Sequence, residues 1–256
     1  MQAVAILPAR FASTRFPGKP LLRQTGKYLI QHVYERVLAA KRIDLCLVAT
    51  DDQRIFDAVQ SFGGGAVMTR ADHPSGTDRI AEVVKGLREP CDLVLNVQGD
   101  EPEIEPAYLD RLVSRMAEDP ACEAGTLACP FAADCDPRDP NCVKVVKNRS
   151  GKALYFSRSL IPYPRDNPTD VVPTDYLLHL GVYAYRRDFL LKFAALPPSR
   201  LEQIEKLEQL RVLECGYSMA VEVVERASPG VDTPADYERF VERWRTSEKC
   251  KVQSAK

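Results

Sequence analysis

The chain has 256 residues, 28% of them charged and 45% hydrophobic, with a formal net charge of −1. That length allows burial of about three quarters of the unfolded surface, enough for one large domain or one domain with a sizeable insertion. The near-neutral balance excludes a general affinity for nucleic acid or membrane, so any anion must be bound locally.

No apolar stretch approaches the roughly 20 residues needed to cross a bilayer, and the N-terminus enters a strand without a leader, which predicts a cytoplasmic protein. The eight cysteines include no Cys-x-x-Cys and read as reduced thiols. His32, His73 and His179 are far apart in sequence, which argues against a zinc site.

Short apolar or β-branched runs alternate with amphipathic ones through the first half. The order is Ala3 to Leu7, Tyr28 to Ala40, Leu45 to Ala49, Gln53 to Phe62, Ala66 to Thr69, Thr77 to Leu87 and Leu93 to Val97. This β-α-β-α order predicts an α/β fold with a mostly parallel sheet flanked by helices. Gly63-Gly64-Gly65 lacks the third glycine of a dinucleotide fingerprint, Met68 standing in its place, and reads as a helix-to-strand connection. From Gly125 to Tyr185 strand-like runs are separated by proline-rich stretches, which predicts a smaller mixed or antiparallel extension. Leu201 to Leu213 reads as one helix with Leu201, Ile204, Leu207, Leu210 and Leu213 facing the core. A last strand, Ala220 to Val224, precedes a turn at Pro229-Gly230 and a final helix from about Pro234.

In open α/β sheets ligands bind outside the carboxyl ends of the strands, and the loops after Leu7 and Val97 are at such ends. The first carries Arg10, Arg15 and Lys19 within ten residues, with the helix-breaking pair Pro17-Gly18. It is not a Walker loop, because Ser13 and Pro20 stand where glycine and a hydroxyl residue are needed. Arginine forks and a lysine point charge suit a polyphosphate, and Lys19 reads as an exposed loop cation. The second loop is Gln98-Gly99-Asp100-Glu101-Pro102, where Asp100 suits either a Mg²⁺ ligand or the turn before a helix starting near Pro106. Asp232 has the same two readings, since Thr233-Pro234 alone accounts for a helix start. Two converging aspartates would suffice for a hard cation that also binds phosphate oxygens. Ser75-Gly76-Thr77-Asp78-Arg79 reads as a helix cap or as a base- or ribose-binding turn, and Asp51-Asp52 as a cap. His179, Tyr183 and Tyr185 fall on one face of a strand-like run, fitting either a buried histidine or a sugar-acid pocket.

Taken together these segments resemble the CMP-Kdo synthetases, the 3-deoxy-manno-octulosonate cytidylyltransferases. The matching stretches are Leu7 to Arg10 with Ser13, Arg15 and Pro17 to Pro20; Gln31 to Tyr34; Ala49 to Asp52; Ser75 to Arg79; Val97 to Pro102; Tyr155 to Arg158; His179 to Tyr185; Leu207 to Arg211; and Gly230 to Pro234. Two departures are Tyr28, where the family commonly has proline, and Leu178, where a basic residue often precedes the histidine. The resemblance implies a Rossmann-like nucleotidyltransferase fold, a single domain over residues 1–250 with a dimerisation and acceptor-side extension at about 125–190, and a homodimer. It implies transfer of CMP from CTP to the anomeric hydroxyl of 3-deoxy-D-manno-octulosonate (Kdo), releasing pyrophosphate, for lipopolysaccharide biosynthesis. Carried onto this chain, Arg10, Arg15 and Lys19 would hold the triphosphate, Ser75 and Gly76 would help select cytidine, and Asp100 and Asp232 would ligate Mg²⁺. Gln98, His179, Tyr183, Glu208 and Gln209 would line the sugar-acid pocket. A cytidylyltransferase for sialic acid or an amino-Kdo is the nearest rival. A silent nucleotide-binding scaffold should have lost one of Arg10, Lys19, Asp100 and Asp232, and all four are present.

Overall fold

The computed structural model describes residues 1–12 and 16–254. In chain order the elements are β1 (Ala3–Ala9), a single 3₁₀ turn at Lys19–Leu21, α1 (Leu29–Leu38), β2 (Leu45–Thr50), α2 (Gln53–Ser61), β3 (Ala66–Met68), α3 (Gly76–Gly86), β4 (Leu93–Asn96), α4 (Pro106–Glu118), β5 (Ala124–Pro130), β6 (Lys144–Lys147), β7 (Ala153–Ser157), β8 (Leu177–Arg186), α5 (Arg187–Phe193), α6 (Arg200–Glu205), α7 (Leu210–Glu214), β9 (Met219–Val223) and α8 (Pro234–Ser254). The chain divides into two compact units. The first comprises Val4–Arg88, Asn96–Pro106 and the segment from Ser228 onward; the second comprises Met1–Ala3, Glu89–Leu95 and Ala107–Ala227.

In the first unit β1 and β2 pair in parallel from Val4 opposite Leu45 to Ala9 opposite Thr50, and β3 continues the parallel order with Val48 opposite Ala66. β1 is apolar and buried along nearly its whole length, as expected of a strand covered on both faces. Helix α1 buries Leu29, Ile30, Val33 and Val37, a spacing that puts one stripe on the sheet. Helix α2 starts on Asp52, whose carboxylate accepts the Arg54 N–H at 3.0 Å. It ends at Gly63, whose φ of +78° favours glycine, and Gly64 N–H bonds back to the Val59 carbonyl. The triple glycine is therefore the predicted helix-to-strand connection.

Helix α8 belongs to the same unit. Its Tyr237, Phe240 and Val241 form one buried cluster with Leu29 and Val231, and Phe16 and Leu22 pack against it. The Tyr237 hydroxyl accepts the Gln24 N–H at 2.8 Å. The last helix thus supports the loop that follows β1.

In the second unit β5 is antiparallel to β8 and parallel to β9, while β6 and β7 form an antiparallel pair that reaches β8 at Lys144 and Leu178. Helix α4 lies directly on β5. A Cβ on Gly125 would come within 2.7 Å of Met116 Sδ and 3.1 Å of Leu112 Cδ1, so any other residue would make the Met116 side chain shift. The proline-rich stretch before β8 is irregular apart from a 3₁₀ turn at Pro173–Asp175, because proline removes the ladder donors.

One expectation is corrected, and one helix was not anticipated. The predicted helix from Leu201 to Leu213 is two helices, broken at Lys206, which adopts a left-handed C-cap (φ 55°, ψ 46°). Arg211 then reaches back to ion-pair with Glu202 at 2.6 Å, folding α7 against α6. Ile204 consequently faces solvent at 67% exposure, whereas Leu207 and Leu210 are buried. The unanticipated helix is α5, which continues from β8 without a capping side chain. Its Phe189 and Phe193 rings pack with Tyr185, so Tyr185 belongs to an aromatic core rather than to a pocket.

Candidate active site

Within the first unit, one cavity of about 240 Å³ is lined by Pro8, Ala9 and Arg10 from the end of β1, Lys19 and Pro20 from the 3₁₀ turn, Gly76 from the start of α3, and Gln98, Gly99 and Asp100. The parallel order explains the convergence. Val97 donates to the Ile6 carbonyl at 3.3 Å, so residues 98–100 emerge beside the end of β1. Gly99 is closely packed, since a Cβ would lie 3.2 Å from Ile30 Cδ1 and 3.4 Å from the Pro8 carbonyl oxygen. Its glycine serves packing as well as ligand access.

The loop between Arg10 and Lys19 is closed by local contacts. Gly18 donates to the Phe11 carbonyl at 2.9 Å and takes a φ of +72° that turns the chain into the 3₁₀ segment. The Arg54 guanidinium lies over the Phe11 ring at 3.4 Å from its centroid. Arg10 donates to the His73 carbonyl at 2.6 Å and is otherwise exposed. Arg15 and Ser13 lie outside the described residues.

Lys19 is not the exposed cation that its loop suggests. It is 9% exposed, and its Nζ donates to Asp100 Oδ2 at 2.7 Å and to the Val231 carbonyl at 2.7 Å. Asp232 Oδ1 stands 3.7 Å from the same nitrogen. One ammonium therefore joins the β1 loop, the loop at residues 98–101 and the approach to α8. The Val231 N–H also donates to the Asp100 carbonyl at 2.9 Å, which locks the two carboxylate-bearing segments together.

The helix start expected at Thr233-Pro234 is observed. Thr233 Oγ1 accepts the Asp236 N–H at 3.2 Å while Asp236 accepts the Thr233 N–H at 2.8 Å, a reciprocal cap built on Thr233 and Asp236. Ser75 does cap α3, accepting the Asp78 N–H at 3.2 Å, and its hydroxyl donates to the Asp78 carboxylate at 2.7 Å. Gly76 beside it lines the cavity. Asp51, read as part of a cap, instead pairs with the fully buried Arg79 at 3.0 Å. Gln98 donates to Asn96 Oδ1 at 3.2 Å and lies on the cavity wall with Arg10 and Lys19.

The sequence reasoning passed over Glu101. Burial, reinforced by the Asp100 and Asp232 charges and opposed by Lys19, pushes its carboxyl up to about 7. Its position next to Asp100 was the available signal.

The second unit gathers another predicted set. The Tyr183 hydroxyl donates to Gln209 Oε1 at 3.2 Å, Gln209 Nε2 is 3.5 Å from His179 Nδ1, and His179 Nε2 is 2.9 Å from Thr126 Oγ1. Burial pulls the His179 ring down to about 3, so it is neutral, and burial followed by the Glu208 charge raises the Tyr183 hydroxyl. Glu208 also contacts Arg211 at 3.5 Å. This is a neutral polar cluster with one carboxylate at its edge, suited to reading hydroxyl groups.

The chain matches the cytidylyltransferase family over residues 4–222. It is 54% identical over 244 residues to the 3-deoxy-manno-octulosonate cytidylyltransferase of Syntrophotalea carbinolica, covering 93% of this chain and 97% of the relative. The belonging follows from that likeness. The chain belongs to the 3-deoxy-manno-octulosonate cytidylyltransferase family. The namesake enzyme of Geobacter sulfurreducens is 50% identical over 250 residues, covering 95% of this chain and 99% of the relative. A solved CMP:2-keto-3-deoxy-manno-octonic acid synthetase, complexed with CTP, superposes with a TM-score of 0.89 at 46% identity, covering 96% of this chain and 100% of that one.

Membership in the 3-deoxy-manno-octulosonate cytidylyltransferase family gives the fold its class, the nucleotidyltransferase type expected from the strand and helix order. The family's implied Mg²⁺ can be tested against the residues present. Asp100 and Asp232 converge on one cation, the Lys19 ammonium, and both carboxylates are partly exposed at 32% and 53%, so they remain reachable. Two oxygen donors at the edge of a cationic cavity fit a hard divalent ion that takes its other ligands from phosphate and water.

Proposed function

We propose that this chain transfers CMP from CTP to the anomeric hydroxyl of Kdo, giving CMP-Kdo and pyrophosphate for lipopolysaccharide biosynthesis. The observation that carries the reading is Lys19 bridging Asp100 and Asp232 at a cavity that also holds Arg10. In the reaction the sugar oxygen attacks the α-phosphorus, a new oxygen–phosphorus bond forms, and the bond to the β-phosphate oxygen breaks as pyrophosphate leaves. The chemistry needs charge neutralisation and alignment more than a strong base.

Arg10 and Lys19 supply cationic contacts to the triphosphate, while Gly76 and the N-terminal turn of α3 offer backbone donors to the cytidine. Asp100 and Asp232 would hold Mg²⁺, which when bound polarises phosphate oxygens and neutralises their charge. Gln98 in the first unit, and separately His179, Tyr183, Glu208 and Gln209 in the second, are the residues assigned to the sugar acid. The 54% identity with a 3-deoxy-manno-octulosonate cytidylyltransferase supports Kdo over sialic acid or an amino-Kdo as the acceptor.

We place the protein in the cytoplasm as a homodimer. Unpaired thiols at Cys46, Cys91, Cys122 and Cys129, all buried, support a reducing compartment. The exposed Leu154, Tyr163 and Val172 support a dimer contact on the extension at 125–190. Among the described residues no helix is long and apolar enough to cross a membrane.

The test is pyrophosphate release from CTP with Mg²⁺ across a panel of sugar acids. Release that requires both Mg²⁺ and Kdo is expected. Equal release without any sugar acid would show a nucleotidase and overturn the transferase.

A further inference from the structure

Thr126 was not singled out by its sequence context, yet it is completely buried and touches His179. It sits where β5 and β8 lose register, Thr126 facing Tyr183 while the next residue, Leu127, faces Leu180. Through this irregularity the Thr126 Oγ1 meets two carbonyls of β8, Val182 at 2.8 Å and Leu180 at 3.2 Å.

A threonine hydroxyl has one proton to give and lone pairs with which to accept. Both carbonyls can only accept, so the proton must go to one of them. Were it aimed at His179 instead, two carbonyl oxygens would face hydroxyl lone pairs with no hydrogen between them. The hydroxyl oxygen therefore accepts from His179, and the proton of the neutral ring resides on Nε2. Nδ1 is left as an acceptor. Gln209 follows the same polarity, its Oε1 engaged by the Tyr183 hydroxyl and its Nε2 turned toward Nδ1.

We propose that Thr126 is a positioning residue for acceptor choice: it holds His179 in the Nε2–H tautomer, so that Nδ1 is an acceptor facing Gln209 Nε2, Gln209 Oε1 is left to the Tyr183 hydroxyl, and the cluster meets the sugar in one fixed donor–acceptor pattern. The inference rests on the reading of His179, Tyr183 and Gln209 as acceptor-site residues. Thr126 acts through His179 and does not itself touch the sugar.

The test combines nitrogen-15 spectroscopy of the imidazoles with kinetics on the full-length protein. There are three histidines, so a His179→Gln sample assigns the His179 signals, and the other two rings report that a variant is folded. Wild type should show a single His179 form protonated on Nε2. Thr126→Val, which keeps the shape but cannot accept, should lose that single form and raise the KM for Kdo about tenfold with the KM for CTP unchanged. Thr126→Ser should restore both.

A wild-type ring protonated on Nδ1, or a Thr126→Val protein with an unaltered His179 spectrum, would overturn the proposal. Gln209→Ala separates the two levels of the argument. If it raises the KM for Kdo while Thr126→Val does not, the acceptor reading stands and the role of Thr126 is overturned. If Gln209→Ala also leaves Kdo kinetics untouched, the acceptor reading itself falls, and the proposal with it.

Discussion

The Lys19 ammonium lies 2.7 Å from Asp100 Oδ2, so the cation expected to hold phosphate is, in the free chain, the counterion of a residue expected to hold metal. This pairing couples the two halves of the phosphate chemistry. A ligand that engages either side chain changes the electrostatic field at the other.

Lys19→Met keeps the buried stem but removes the ammonium that Asp100 and Asp232 both approach. The melting temperature should fall by several degrees, corresponding to about 1–3 kcal/mol for a broken charge-assisted contact. Added Mg²⁺ should restore part of it, and Mn²⁺ binding measured by electron paramagnetic resonance should tighten while CTP turnover is lost. Unchanged metal affinity and an unchanged melt would show that the pair carries no electrostatic weight.

Asp100→Asn and Asp232→Asn should each lower turnover by orders of magnitude at limiting Mg²⁺, because a neutral amide anchors a hard cation poorly. Asp100→Asn should also destabilise the fold more, since Asp100 is the closer partner of Lys19, at 2.7 Å against 3.7 Å for Asp232. Near-normal rates in both variants would remove the metal assignment.

Gly18→Ala tests the loop. The φ of +72° disfavours any Cβ, and the added methyl would lie 3.1 Å from the Phe11 ring. A loss of about 1–2 kcal/mol in urea unfolding is expected, with a higher KM for CTP. Full stability together with normal CTP kinetics would mean that the loop can take another path.

Acid should weaken the fold through His32. Burial first, then the Lys27 charge, lowers the ring to about 4 against a partly opposing Glu35. Its folded value is below the unfolded 6.5, so the unfolded chain binds the extra proton and stability falls as pH drops from 6.5 toward 4. That window corresponds to roughly 3 kcal/mol. Urea midpoints at pH 7 and pH 4.5 measure it, and His32→Asn should flatten the slope. An equal slope in that variant would assign the acid sensitivity elsewhere.

The alternation of strands and helices, the two loops at strand ends and the cap of α2 on Asp52 were legible in the sequence, because burial periodicity and capping depend on neighbours a few residues away. Gln98 came only with the family resemblance, whereas Arg10, Lys19, Gly76 and Asp100 could be named one loop at a time from their own short motifs. Their meeting in one cavity could not.

Only the tertiary structure decided that Lys19 is buried, since its partners Asp100 and Val231 lie 81 and 212 residues along the chain. It also decided that Lys206 breaks a continuous apolar repeat and that Thr126 bonds His179. Local pattern fixes which face of an element is apolar. Which distant charge or hydroxyl arrives at that face depends on strand register and on how the loops close, and those are settled by packing between segments that no short stretch of sequence contains.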